Sequence, residues 1–358
     1  MERHQSLKNR VKERREALGW SQAELARSSG VSRAGVSAIE VGRLIPSAAA
    51  ALALAKAMDC RVEEVFFFSG EDAFQSKATW AWVPASPRAR FWQAEVGGRL
   101  ISYPTERVAT GFMPHDGIAD SGGLAVSDAR TARNTLVVAC CDPAVGLLGA
   151  ELLRQTGIRL LAFQRSSGGG LELLKRGFVH AAGVHLAGEG KSKGNLKAVR
   201  ARVGKGHQLL RVASWEAGVA VRPDEGRFDL EKSLRNARRW VGREEGSGAR
   251  QCLEELFDGR ELPRRVARDH QSVSQLIRDG WADAGICLRL VAEEAGLRFH
   301  RVRREPYELC IAESSLGDAR VRRLIEVVRS AEYRRLLGEL PGYDLSESGR
   351  ITRVNTND

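Results

Sequence analysis

Between Ser21 and Ser32 the chain carries two helix starts and a helix stop, a spacing that admits one local fold. Ser21-Gln22-Ala23-Glu24 has the capping-box pattern, in which a serine hydroxyl and a glutamate three residues on satisfy each other's orphan backbone amides. Gly30 permits the left-handed turn that ends this short helix, Val31 plugs inward, and Ser32 caps a further helix running to about Val41. Two short helices joined by a glycine turn make a helix-turn-helix. Leu7, Val11 and Leu18 lie one or two turns apart and predict an amphipathic first helix ending at Gly19. Pro46-Ser47 opens a fourth helix carrying Leu52, Leu54, Ala55 and Met58, and Val62 to Phe66 reads as a fifth.

The stretch LGWSQAELARSSGVSRAGVSAIEVGRLIPSAAAALALAKAMDCRVEEVF resembles the Cro/repressor (XRE) helix-turn-helix family along its whole length. A plain five-helix bundle shares the apolar periodicity but not the ordered series Ser-Gln, Leu-Ala, Gly-Val-Ser, Ile-Glu-x-Gly-Arg, Pro. The resemblance implies that the second helix of the pair enters the major groove of double-stranded operator DNA. By position, Gln22 would grip the sugar-phosphate backbone, Ser32, Arg33, Ala34 and Ser37 would face bases, and Arg43 would hold a phosphate. The family often has long polar residues where Ala34 and Gly35 stand, so base readout here leans on Arg33 and Ser37. Glu40 is expected to be an internal partner, since a carboxylate near phosphates is repelled.

At 358 residues the chain exceeds what one hydrophobic core usually organises. Residues 69–78 are polar and lack helical periodicity, which suits a linker after a domain of residues 1–68. Residues 79–134 hold Trp80, Trp82, Trp92 and several prolines among short alternating runs such as Arg99 to Tyr103. They read as short strands and loops packed on the next domain, with the aromatics in a satellite apolar cluster rather than stacked on bases. At Asn134 the pattern changes. Thr135 to Ala139, a helix near Ala144 to Gln155, and Arg159 to Phe163 alternate strand-like with helical runs, which predicts βαβ units and a parallel sheet covered on both faces.

Three loop-to-helix junctions in this body share one chemistry. Ser166-Ser167-Gly168-Gly169-Gly170, Gly246-Ser247-Gly248 and Ser272 each precede a helical run, and each would aim free amides and a hydroxyl at one spot, as anion sites do. From about Thr135 to Gly349 the chain resembles periplasmic-binding-protein-like ligand domains, specifically the intracellular kind found with helix-turn-helix or molybdopterin-biosynthesis modules. The runs TLVVACCDPAVGLLGAELL, SSGGGLELLKRGFVHAAGVHL, REEGSGARQCLEELF, DHQSVSQLIRDGWADAGI and PGYDLSESG carry it. The resemblance implies a two-lobed, type II periplasmic-binding-protein-like α/β domain over 135–358, following the all-α helix-turn-helix domain. Lobe one would comprise residues 135–210 and about 305–350, lobe two 211–304, with crossovers near Arg211 to Arg222 and Arg303 to Cys310. It places Asp142, Ser166, Ser167, Gly168, Ser247, Gly248, Arg250, His270, Ser272 and Asp283 around the interlobe cleft. Molybdate or tungstate is the ligand it suggests; the residues alone suit a pterin-like or other anionic metabolite equally.

The formal net charge of +11 favours anionic partners, but residues 1–70 hold 11 basic and 8 acidic side chains, so only +3 of it lies there. Charge therefore does not locate the DNA site. Gly188-Glu-Gly190-Lys191-Ser192 mimics the end of a phosphate-binding loop, but the full motif needs a glycine where His185 stands. His180 and His185 are oddly spaced and should face opposite sides of a strand, His207, His270 and His300 are scattered, and no metal-ligand spacing is legible. His270, next to Ser272, is the histidine retained for the cleft. The six cysteines lack Cys-x-x-Cys spacing and read as reduced, buried thiols. No Gly-x-Ser-x-Gly elbow marks a nucleophile. No apolar run is long enough to span a membrane, and the polar start lacks a secretory core, so the expected location is cytoplasmic. The expectation is a one-component, ligand-responsive regulator, not an enzyme, without cofactor or metal and with no membrane partner. Since one helix-turn-helix reads only a half-site, it should be a homodimer. The rival is an enzyme or biosynthesis factor of molybdopterin metabolism with a DNA-binding appendage.

Overall fold

The computed structural model describes residues 7–60, 62–68, 79–106, 113–119, 129–186, 194–223 and 239–354. It divides into two units, Met1–Ala78 and Thr79–Asp358. The expected linker and the Gly188 to Ser192 loop lie outside the described residues.

The first unit runs β1 (Leu7–Asn9), α1 (Val11–Ala17), α2 (Gln22–Ser29), α3 (Arg33–Glu40), α4 (Ala48–Ala57), α5 (Val62–Val65) and β2 (Phe66–Phe68). Its beginning corrects the sequence reading. Leu7 belongs to a strand rather than the first helix, and β1 pairs antiparallel with β2, so Phe66 leaves the expected fifth helix. The physical reason is local. Three consecutive phenylalanines favour an extended chain, and Asn9 restarts the helix by accepting the Val11 amide at Oδ1 while its Nδ2 donates to the Ile39 carbonyl. Val11, Leu25, Val36, Ile39, Leu54 and Met58 form the core.

Glu40 ties three helices together. Arg15 donates Nε to its Oε1 at 2.6 Å and Nη2 to its Oε2 at 3.2 Å, and Gln22 Nε2 donates to Oε2 at 2.8 Å. The Arg15 and Glu40 side chains are only 9% and 1% exposed. Burial pushes the Glu40 carboxyl up, but the Arg15 and Gln22 bonds outweigh it and hold it below the usual range.

The second unit opens with a small sheet, order β3-β5-β4-β6, built from β3 (Thr79–Trp80), β4 (Arg90–Val96), β5 (Arg99–Pro104) and β6 (Gly117–Ile118). Trp92, Ala94, Ile101 and Tyr103 pack into one cluster with Val137, Phe163 and Leu171. Tyr103 Oη donates to the Phe178 carbonyl at 2.6 Å, and Arg159 pairs with Asp116 at 2.6 Å. The aromatics of this stretch are thus used in packing.

After α6 (Ala129–Arg133) the chain alternates through β7 (Thr135–Cys140), α7 (Val145–Thr156), β8 (Arg159–Gln164), α8 (Ser167–Lys175), β9 (Ala181–Val184) and α9 (Gly194–Val203). The long β10 (His207–Val221) follows, then β11 (Trp240–Arg243), α10 (Gly248–Phe257), β12 (Val266–Ala267), α11 (His270–Arg278), β13 (Ala284–Leu288) and α12 (Arg289–Glu294). The equally long β14 (Arg298–Ala312) leads to α13 (Ala319–Arg329), α14 (Ala331–Gly338), β15 (Tyr343–Asp344) and β16 (Ile351–Arg353). One sheet results, in the order β12-β11-β13-β10-β14-β9-β7-β8, with β15 and β16 also on β10.

Strand β7 shows why its sequence is continuously apolar: Leu136, Val138 and Cys140 face one core and Val137 and Ala139 the other. The antiparallel pair β10 and β14 spans the whole sheet, with β13 on the late part of β10 and β9 on the late part of β14. Its register shifts twice, between Arg211 and Ala213 and between Ala217 and Gly218. Between those irregularities lie Trp215 opposite Glu305 and Ala217 opposite Arg303.

Breaking the buried pair in the first unit should be costly, because Arg15 would lose its buried counter-charge and keep only the exposed Glu16 at 3.4 Å. Glu40→Ala is expected to lose about 3–5 kcal/mol, read in the intact chain as lost hydrogen-exchange protection across α1 to α3. A carboxylate held low in the folded state contributes stability above its unfolded pKa and loses it as pH falls through the folded value. The gap between wild type and Glu40→Ala should therefore be full near pH 7 and shrink below about pH 4.5.

Candidate functional site

In the first unit Gly30 adopts the left-handed conformation, and Ser32 Oγ accepts the Gly35 amide at 3.0 Å to start α3. Val36 and Ile39 point inward, while Ser32, Arg33 and Ala34 are exposed and Ser37 is half-exposed on the same helix. Arg43 is exposed just beyond it. Gln22 is half-buried with its amide nitrogen on Glu40, so the domain's own packing takes up one of its donors.

In the second unit, the residues with unusual chemistry gather where the halves of the sheet meet. Ser166 and Ser247 cap α8 and α10, each hydroxyl accepting an amide of the first turn. The two helix starts touch, the Gly168 amide donating to the Gly246 carbonyl at 3.2 Å. Glycine at 248 is required by a close approach, since a Cβ there would stand 2.2 Å from the His185 carbonyl oxygen.

Glu305 is the hub of the seam. It is 1% exposed and accepts from His185 Nδ1 at 2.8 Å, Trp215 Nε1 at 3.2 Å and Arg303 Nε at 2.7 Å. Burial pushes its carboxyl up, but His185 and Arg303 pull it below the usual range. Arg303 also donates to Glu255 and to the Gly248 carbonyl. On the far side of His185, Nε2 lies 2.9 Å from Cys141 Sγ. Burial would lower His185, but Cys141 and Glu305 outweigh it and lift it to about 10. Asp142 is buried, accepts from Tyr343 Oη and the Ala144 amide, and is pushed up to about 6 by desolvation.

Two buried side chains at the seam have polar atoms without hydrogen-bond partners among the described residues. Arg243, 2% exposed at the end of β11, has Nε and Nη1 without a hydrogen-bond partner among the described residues; Nη2 makes a 3.4 Å contact with the Arg268 carbonyl. His270, also 2% exposed, has neither ring nitrogen bonded among the described residues. Burial, with Arg243 and His185 nearby, keeps His270 neutral by holding it well below its usual pKa.

Several expected cleft residues stand elsewhere or act differently. Asp283 lies just before β13, at the opposite end of that strand from the seam, and pairs with Arg239 at 2.6 Å. Arg250 makes a one-turn ion pair with Glu254 along α10. Ser272 does not begin a helix: Asp269 caps α11 and accepts the Ser272 amide, and a carboxylate there repels an anion. Ser167 Oγ accepts the His185 amide, and Ser247 Oγ donates to the Glu244 carbonyl, so both hydroxyls are used within the fold. His180 is a saturated structural residue between the Val137 amide and the Glu95 carbonyl. Sequence reasoning missed Cys141, His185, Trp215, Arg243, Arg303 and Glu305. An arginine closing an otherwise apolar strand, as in Trp240-Val-Gly-Arg243, was the one available signal.

A profile of the PBP superfamily domain matches residues 150–329, and a helix-turn-helix profile matches residues 11–65. An uncharacterised HTH-type transcriptional regulator of Bacillus subtilis, YgzD, is 42% identical over 66 residues, 18% of this chain and 100% of that protein. One from Archaeoglobus fulgidus is 33% identical over 66 residues, 18% of this chain and 94% of that protein. Among solved structures, the tungstate ABC transporter from Geobacter sulfurreducens aligns with a TM-score of 0.45 at 14% identity, covering 57% of this chain and 98% of that one. PhnD1 from Prochlorococcus marinus in complex with methylphosphonate aligns with a TM-score of 0.42 at 13% identity, over 62% and 92%.

The contact at Gly248 gives a direct test of the seam. Gly248→Ala forces the start of α10 away from His185, and is expected to cost about 1–3 kcal/mol. Thermal unfolding should show a lowered Tm, and an unchanged Tm would contradict the close approach.

Proposed function

The chain belongs to the PBP superfamily through residues 150–329 and to the HTH-type transcriptional regulators through residues 11–65, and from that premise we propose a one-component regulator that senses a small oxyanion. The observation that carries the anion is Arg243. A buried guanidinium with two of its three nitrogens lacking acceptors among the described residues is costly, and an oxyanion supplies both the counter-charge and the missing oxygen atoms. The starts of α8 and α10 add a favourable field from their amides. Molybdate or tungstate fits this chemistry, as does a larger anionic metabolite. Ser166, Ser167, Gly168, Ser247 and Gly248 would shape the site through their backbones, and Asp142 and His270 would flank it. Operator DNA would be read by Arg33 and Ser37, with Ser32 and Ala34 beside them and Gln22 and Arg43 on phosphates. The protein would act as a homodimer in the cytoplasm; the exposed apolar side chains Val41, Leu44, Ile45 and Leu52 support a protein contact near the DNA-binding helices.

A second reading has one observation in its favour. Cys141, His185 and Glu305 stand in thiol, imidazole, carboxylate order, which is how a cysteine nucleophile is activated. It would make the second unit an enzyme of molybdopterin metabolism. Burial of Cys141 at 2% exposure favours the sensor.

Arg33→Ala should cost on the order of 1–3 kcal/mol and relax base preference; Arg43→Ala should weaken all sequences alike and flatten the salt dependence. Unchanged operator preference in Arg33→Ala would overturn the DNA assignment. Arg243→Gln removes an uncompensated buried charge, so the ligand-free protein should be no less stable while its stabilisation by the anion disappears. Calorimetry with molybdate, tungstate, sulfate and phosphate on wild type and Arg243→Gln, beside operator titrations, checks this. A coupling of about 1–3 kcal/mol between anion and operator is expected. An anion that binds without moving operator affinity, or turns over, would favour the enzyme.

A further inference from the structure

Cys141, His185 and His270 each offer one ligand atom, and the three atoms lie within 4.8 Å of one another. Their side chains are 2%, 1% and 2% exposed. His185 gives its Nδ1 side to Glu305, which directs Nε2 at the Cys141 sulfur 2.9 Å away. A carboxylate behind an imidazole is the arrangement that fixes the tautomer and aim of a metal-bound histidine. His270 is an independent sign that something is held here, since its ring is buried with both nitrogens unpaired among the described residues. Such a group forfeits its hydration with nothing in return, and native structures rarely leave one without a partner. Once the proton shared by Cys141 and His185 is lost, one sulfur and two nitrogens face one point with lone pairs that repel an anion and suit a cation.

We propose that Cys141, His185 and His270 form a binding site for a zinc-class divalent transition-metal ion, with a fourth coordination position open. One thiolate and two imidazole nitrogens are the donors this class prefers, and hard cations such as magnesium or calcium would refuse the sulfur. The ion takes the place of the proton shared between Cys141 Sγ and His185 Nε2. Metal–sulfur and metal–nitrogen bonds form at Cys141 and His185, the single bond to the proton these two share breaks, and that proton leaves to solvent; the neutral ring of His270 adds its nitrogen with no bond broken. Tetrahedral bonds of about 2.3 Å to sulfur and about 2.0 Å to nitrogen set sulfur and nitrogen about 3.5 Å apart. The present 2.9 Å contact therefore opens slightly as His270 moves in. Cys141 follows β7 and His185 follows β9, whereas His270 begins α11, so the ion joins the two halves of the sheet. The inference needs neither the operator nor the oxyanion reading.

The test uses the intact chain, reduced, freed of metal with a chelator and titrated anaerobically with cobalt(II), then zinc. Wild type should bind one equivalent, with a thiolate-to-cobalt charge-transfer band in the near ultraviolet that zinc abolishes. Cys141→Ser should lose the band, Cys60→Ser in the first unit should keep it, and His270→Gln should weaken cobalt binding about tenfold or more. No band in wild type at excess cobalt, or a band that survives Cys141→Ser, overturns the site. If circular dichroism finds Cys141→Ser unfolded, His270→Gln decides: its ring has no bond to lose among the described residues, so it should fold, and unchanged cobalt affinity rejects the proposal.

Discussion

The second unit depends on one backbone interaction, the antiparallel pairing of β10 with β14. Each half of the sheet would otherwise end in an unpaired edge, with a row of backbone donors and acceptors lacking partners. The two long strands satisfy both edges at once and are the only segments that run through both halves of the described sheet. Their register shifts on either side of Trp215 and Glu305, so the local bend is concentrated where the halves meet. The seam's central carboxylate is therefore placed by the same pairing that holds the sheet together.

Around Glu305 the charges divide into a balanced set and an unbalanced one. Glu305, Arg303 and His185 compensate one another through short bonds, which makes burial of three ionisable groups tolerable. Among the described residues Arg243 and His270 have no such ionic compensation, and they lie next to the balanced set rather than at random on the surface. Low exposure raises the cost of an unmet charge or dipole and also raises the reward for a ligand that meets it. An oxyanion for Arg243 and a cation for the sulfur and ring nitrogens have opposite charge, so neither excludes the other electrostatically.

The first unit solves the same problem on a smaller scale. A domain of five short helices has little apolar area to bury, and Glu40 adds a fixed geometry that packing alone would leave loose. It draws Arg15 of α1 and Gln22 of α2 onto the end of α3, which sets the angle at which the exposed face of α3 is held. The same requirement withdraws Gln22 from full availability at its surface.

What the sequence by itself determined was local and periodic. Ser21, Glu24, Gly30 and Ser32 act within a few residues of themselves, so the two central helices and their turn followed from cap chemistry. Alternation of apolar strands and helices from Thr135 foretold a sheet buried on both faces, because β7 carries a core on each side. The runs around Ser166 and Ser247 were legible as loop-to-helix junctions for the same reason, although α8 begins at Ser167 rather than after Gly170. The site itself was not. Cys141 and His185 are 44 positions apart, His185 and Glu305 120, and no local period links them. Asp269 displaced Ser272 as the cap of α11, and Asp283 fell at the wrong end of its strand, because strand direction within the sheet is decided by pairing. The Phe66–Phe68 strand likewise needed Leu7–Asn9 as a partner before it could leave the helix. Only tertiary structure could bring lone arginines and histidines together, since burial and missing partners are properties of the assembled fold and not of any residue's neighbours in sequence.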